Sequence, residues 1–296
     1  MNEKNSVFNK FAFIVLMAVF GCLGPIVRAI GFPSQTTACI RAWIAALSLI
    51  AYILISRRKF TKKNILLVLK PMIISGIALA VDWIGLFTSY SYTTIATSTI
   101  CYYIVPILVI IASALILKEK LTIKHIICAI VAFIGMVFVS GVLEPGAFSI
   151  ADIKGILFAL LGAVGYTAVV IINKKYPEGD VFLRTAVQLL VAAIVTTPFV
   201  FISTDVSSLV FSTKSIGLLL LLGVGLTTCT YIFYFDLILK LPSRSVAIIS
   251  YMDPVVAVFI SLFFMDEPIT IFGIIGTVLI LGSAIISEFI TAKKES

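Results

Sequence analysis

The sequence predicts an all-α integral membrane protein in which ten transmembrane helices form two inverted five-helix repeats. Three observations carry this. Of 296 residues, 61% are hydrophobic and only 12% charged, with a mean hydropathy of +1.18, where a soluble domain has about 45–50% and about 25%. Apolar runs long enough to cross a bilayer, about 20 residues each, alternate with short basic clusters. The chain also matches itself when shifted by 148 residues.

Reading apolar runs between charges and turn residues places helices near 11–30, 36–56, 70–90, 95–117, 123–143, 153–173, 181–202, 215–239, 245–265 and 270–290. The first opens after Lys4 and Lys10 and has the outline of a secretory signal. Bulky Phe20 stands where cleavage needs a small residue, however, and the repeat requires this helix, so it is read as a span. The second closes on Arg57-Arg58-Lys59, the third rises from Lys70, and the fourth ends at Lys118. The fifth starts from Lys124, the sixth ends at Lys174-Lys175 and the seventh carries Arg184 near its start. The eighth ends at Lys240, the ninth follows Arg244, and the tenth runs out to Lys293-Lys294.

These charges test the count. With the N-terminus inside, 18 of the 22 Lys and Arg residues collect on one face, leaving only Arg28, Arg41, Lys154 and Lys214. A missed or extra helix would scramble that alternation, so an even number of spans with both termini cytoplasmic is expected, in a plasma membrane. The net charge of +8 is thus topogenic, and without a basic stripe interleaved with aromatics no nucleic-acid partner is expected. Cys22, Cys39, Cys101, Cys128 and Cys229 lie in apolar runs without ligand spacing, so neither a metal nor another cofactor is expected.

The 148-residue shift sets Tyr103 on Tyr251, Pro106 on Pro254, Glu119 on Glu267, Thr122 on Thr270, Trp83 on Tyr231 and Phe87 on Phe235. The halves are 1–146 and 147–296. Each holds five helices, an odd number, so the second enters the membrane inverted. Lys118-Glu119-Lys120 in the inward turn accordingly becomes Asp266-Glu267-Pro268 in the outward one. Inverted halves can exchange conformations around a shared site, which points to alternating-access transport.

The stretch from Pro106 to Gly135, with Leu117-Lys118-Glu119-Lys120-Leu121-Thr122, and that from Pro254 to Gly282, with Asp266-Glu267-Pro268-Ile269-Thr270, resemble the paired signatures of the EamA family of the drug/metabolite transporter superfamily. The resemblance covers nearly the whole chain. It implies ten helices around a central cavity and a secondary carrier or exporter of small organic solutes such as amino acids, metabolites or drugs. Phe20-Gly21 departs from the Trp-Gly-like pair of many relatives, which alters the expected aromatic wall.

Charged groups within apolar spans cost about 2.5–3.5 kcal/mol each on insertion scales, so they need a partner, a wet cavity or a function. Arg41, Asp82, Asp236 and Asp253 stand out. Asp82 lies about 18 Å beyond Lys70, near the midplane, and either binds solute or pairs permanently with Arg41. Asp253 precedes Pro254, whose missing N–H lets the helix kink; the competing reading is a salt bridge to Arg244 or Lys240. Asp236, four residues before Lys240, reads as interfacial.

Trp83, Tyr102, Tyr103, Tyr231, Tyr234 and Tyr251 recur near the acidic positions. Carboxylates among aromatic faces suit an amine through charge and cation–π contact. The expected binding set is therefore Asp82, Trp83, Tyr102, Tyr103, Tyr231, Tyr234, Tyr251 and Asp253, with Arg41, Asp82 and Asp253 also candidates for coupling or gating and protons for the coupling ion. Arg184 and Gln188 share a helix face, with Arg184 expected to snorkel to the headgroups. Glu119 and Glu267 are expected to cap the helices that follow them, and His125 to be interfacial. Gly21 and Gly24, Gly162 and Gly165, and Gly273 and Gly276 recur as packing contacts.

An intramembrane enzyme is disfavoured by the lack of a paired G-x-G-D pattern, H-E-x-x-H or G-x-S-x-G, and no P-loop supports ATP-driven pumping. A translocator of lipids or lipid-linked intermediates remains the second reading; it needs a lateral polar seam where a solute carrier needs convergence on a closed cavity. A homodimer stays open.

Overall fold

The computed structural model describes residues 3–93, 95–120, 122–139, 153–204, 209–264 and 271–295. All regular structure among them is helical: α1 (Glu3–Gly21), α2 (Leu23–Ile30), α3 (Ser34–Ile55), α4 (Lys62–Ser89), α5 (Ile95–Tyr102), α6 (Val105–Ile116), α7 (Ile123–Val139) and α8 (Ile153–Lys175). There follow α9 (Val181–Ser203), α10 (Thr213–Leu220), a π-helical segment (Leu221–Cys229), α11 (Thr230–Lys240), α12 (Ser243–Ile249), α13 (Met252–Phe264) and α14 (Ile271–Glu295).

Among the described residues, six segments are long and apolar enough to cross a membrane: Ser34–Ile55, Lys62–Ser89, Thr97–Ile116, Ile153–Lys175, Val181–Ser203 and Thr213–Lys240. Shorter apolar helices cover Val7–Gly21, Ile123–Val139 and Ile271–Ser287. Leu54, Ile55, Leu115, Phe201 and Ile202 project outward from these helices. Apolar exposure on this scale suits lipid as the surrounding medium and makes the chain a multi-pass membrane protein.

Several expected spans are subdivided. The first is two helices meeting at Cys22, and the third begins at Lys62 rather than 70, behind a Thr61 cap whose side chain accepts from Asn64 N at 3.2 Å. Asp82 consequently sits 20 residues into a 28-residue helix, about 10 Å from its far end, farther along than counting from Lys70 implied. The eighth is interrupted by the π segment, where the Thr227 and Thr228 hydroxyls donate to carbonyls five residues back, at 2.7 and 3.0 Å.

Glycines set the closest crossings. A Cβ on Gly85 of α4 would stand 2.5 Å from Gly162 N of α8, and one on Gly165 would stand 2.6 Å from Asp82 N. Gly76 fits α4 against α9, and Gly135 and Gly276 bring α7 and α14 together. Small residues permit such approach in lipid, where packing rather than water exclusion drives association. A polar knot ties α4, α8 and α9. Ser75 Oγ donates to Gln188 Oε1 at 2.6 Å, and Asn173 Nδ2 donates to both, at 3.0 and 2.8 Å. Arg184 donates to Asn173 O and Oδ1 at 3.0 and 3.1 Å and to Pro177 O. Arg184 is thus 1% exposed and bound internally, not snorkelling.

Candidate functional site

Two helices break midway, at positions related by the 148-residue shift. The α5–α6 break falls at Tyr103-Ile104 and the α12–α13 break at Ser250-Tyr251. The cause is local: Pro106 and Pro254 stand in the first turns of α6 and α13, and a proline cannot donate to the carbonyl four residues back. At each break the chain turns its tyrosines and Asp253 into the bundle. Discontinuous helices of this kind place polar groups where backbone can be unpaired without facing lipid.

Consecutive tyrosines at the first break reach two different carboxylates. Tyr102 is hydrogen-bonded to Asp82, and Tyr103 Oη donates to Asp253 Oδ2 at 2.6 Å. Tyr251 stacks on Tyr103 with centroids 6.3 Å apart and donates to Tyr103 O at 3.2 Å. Asp253 therefore takes its partner from Tyr103, while Lys240 pairs with Asp236 at 2.5 Å, as an interfacial reading of Asp236 expects.

Around Asp82 the remaining groups close a ring. Trp83 meets the Tyr231 ring edge-on, with centroids 6.1 Å apart. Tyr231 lies 6.1 Å from Tyr234, whose hydroxyl bonds Tyr166 Oη at 2.5 Å, and Tyr166 lies 6.4 Å from Tyr102. Arg41 comes from α3, its guanidinium carbon 4.8 Å from the Trp83 centroid and 5.9 Å from that of Phe87. No ion pair or hydrogen bond joins it to Asp82 among the described residues, and Arg41 Nε and Asp82 Oδ1 are each buried without a partner. Arg41 is 8% exposed and Asp82 3%, so two groups of opposite charge type are buried in one site without direct contact between them. Leaving either unpaired is costly.

All nine sequence-nominated residues thus fall in one continuous cluster drawn from both halves. The sequence reading missed Tyr166, which links Tyr102 to Tyr234 and is hydrogen-bonded to Ser250; the available signal was its place beside Gly165 at mid-helix. It also missed Tyr90, hydrogen-bonded to Thr99. Phe20, singled out as a departure, does build the wall, edge-on to Tyr231 and Tyr234 at 5.8 and 6.0 Å. Glu119 caps α12 instead of the following helix: its carboxylate accepts from Ser243 Oγ at 2.7 Å and from Ser243 N at 3.3 Å. His125 is wholly buried rather than interfacial, and Glu267 lies outside the described residues. No group of three or more His, Cys, Asp or Glu suited to a metal occurs among the described residues.

Broken, proline-marked helices in two tandem halves, enclosing a charged aromatic cluster, define the architecture of a membrane transporter. The model of the EamA-like transporter family matches residues 9–141 and again 153–289, and the chain belongs to that family. It is 24% identical over 276 residues to the uncharacterized transporter YxxF of Bacillus subtilis, covering 90% of this chain and 85% of that protein. With YoaV of the same organism, also an uncharacterized transporter, it shares 23% over 260 residues, 86% and 87% of the two chains. A solved crystal structure superposes with a TM-score of 0.82 over 97% of this chain and 98% of the other at 17% identity, a likeness of fold.

Proposed function

We propose that the protein is a secondary active exporter or exchanger of small amine-bearing organic solutes, working by alternating access. In this reading ten spans form two inverted repeats in the plasma membrane, with both termini cytoplasmic. The observation that carries it is the pair Arg41 and Asp82, buried on neighbouring helices, facing one aromatic enclosure, and not hydrogen-bonded to each other. Asp82, with Tyr102 and Trp83, offers an ammonium group an anion and π faces. Arg41 offers a carboxylate a counterion, which favours amino-acid-like solutes within the class. Ionisable groups buried in this way inside a membrane protein normally mark a substrate or ion path.

Convergence of Asp82, Trp83, Tyr103, Tyr231 and Tyr251 on one cluster supports a solute chamber over a lateral lipid path. The two carboxylates, joined through adjacent Tyr102 and Tyr103, support protons as the coupling ion. Equal solute flux with and without a pH gradient in sealed vesicles would count against that coupling. The primary test is a thermal-shift screen of amino acids, polyamines, quaternary amines and nucleosides on the wild type and Asp82→Asn, since a ligand of the folded state raises its melting temperature. An amine or amino acid that stabilises only the wild type supports the reading. One acting equally on both removes Asp82 from the site, and stabilisation by lipids alone would favour the translocator.

A further inference from the structure

The basic end of the bundle, which carries Lys118, Lys120, Lys174, Lys240 and Arg244, holds a set of contacts outside the aromatic cluster. The corner between α11 and α12 is only Leu241-Pro242, and it exposes one orphan group of each helix: the carbonyl that ends α11 and the amide that begins α12. Lys174 Nζ, from the last turn of α8, donates to Leu241 O at 2.5 Å. Glu119, from the α6–α7 turn, accepts from Ser243 N and Oγ at 3.3 and 2.7 Å. A cation on a C-terminal carbonyl and an anion on an N-terminal amide are the placements helix dipoles favour.

We infer that Glu119 and Lys174 form a two-sided latch on the α11–α12 corner, which holds the basic end shut and whose release opens that end during transport. The inference rests on the alternating-access reading. Three features separate the latch from ordinary packing. Its Glu119 arm crosses the repeat boundary, Glu119 belonging to the first half and the corner to the second, so relative motion of the halves must break that arm, while Lys174, from the same half as the corner, holds the corner in the position Glu119 engages. Its charged members are half-buried at the end of the bundle, where water replaces the lost bonds at small cost, unlike the wholly enclosed Arg184–Asn173–Gln188–Ser75 knot. Finally, α12 has seven residues, a lever about 10 Å long, and the residue after its Ser250 cap is Tyr251, which stacks on Tyr103 with centroids 6.3 Å apart. Movement of its start is therefore delivered to the aromatic cluster.

The test is hydrogen exchange read by mass spectrometry on the full chain in phosphatidylglycerol–phosphatidylethanolamine nanodiscs, comparing wild type, Glu119→Gln, Lys174→Gln and the milder Ser243→Ala. Release of a latch raises exchange across 241–250 by about tenfold and, because the two ends alternate, lowers it at the far end, in 23–37 and 84–93. Ser243→Ala moves both ends in the same directions, less far. Increased exchange confined to 241–250 overturns the inference, since a mere staple loosens only its own surroundings. No change at either end overturns it equally. Either failure leaves the ligand screen untouched, so the latch and the transport reading fall separately.

Discussion

Gly165→Ala tests the packing that places Asp82. The new methyl carbon would lie 2.6 Å from Asp82 N, 2.8 Å from Ala78 O and 3.0 Å from Asp82 Cα, all backbone atoms of α4. No side chain can rotate away, so α4 and α8 must separate by about 0.8 Å to restore ordinary contact. Gly85 is as tight, at 2.5 Å, and Gly162 only slightly less so, at 3.0 Å, so the separation spreads along the crossing. Overpacking of this kind costs about 1–3 kcal/mol, and the rigid contact argues for the upper half of that range. Gly217→Ala is the internal control: nothing lies within 4 Å of its Cβ position, and removing a glycine from a helix interior gains about 0.5–1 kcal/mol. Reversible unfolding of the purified protein in detergent should therefore show opposite signs for the two variants. Equal stability of Gly165→Ala and wild type would refute the close α4–α8 crossing and the placement of Asp82 built on it.

Other substitutions probe separate parts. Arg184→Ala strips donors from Asn173 O, Asn173 Oδ1 and Pro177 O inside the knot, and a loss of about 1–3 kcal/mol, the cost of buried acceptors left unsatisfied, is expected in the same unfolding assay. Asp180 caps α9, accepting from Phe182 N at 2.8 Å and Leu183 N at 3.2 Å, and pairs with Arg58 at 2.9 Å. Asp180→Ala should cost about 1–2 kcal/mol, whereas Asp180→Asn keeps the cap, loses only a partly exposed ion pair, and should cost under about 1 kcal/mol. Lys118 holds φ at +56°, a left-handed conformation disfavoured for side-chain-bearing residues; Lys118→Gly should raise stability by about 0.5–1 kcal/mol.

The parts legible in sequence are those fixed by the solvent. A lipid surround demands long apolar runs, so helices were locatable from composition alone, and the Tyr103–Pro106 and Tyr251–Pro254 pairs flagged the places where the structure breaks two of them. The buried charges were legible for the same reason, because Arg41, Asp82 and Asp253 are conspicuous against aliphatic neighbours. What stayed hidden depends on which faces meet. Arg184 near a helix end looks like a snorkelling cation until Asn173 and Pro177 are brought to it by the α8–α9 turn, and Glu119 looks like a local cap because its true partner lies 124 residues away. The π segment leaves no compositional trace, since Leu221 to Cys229 reads as ordinary apolar helix. Its effect is rotational: an extra residue in each turn re-aims everything downstream, and Tyr231 and Tyr234 begin immediately after it. Helical periodicity counted from Thr213 therefore assigns those rings to the wrong faces. Their position against Trp83 and Tyr166 follows only once the wider turns of the Leu221–Cys229 segment are counted in.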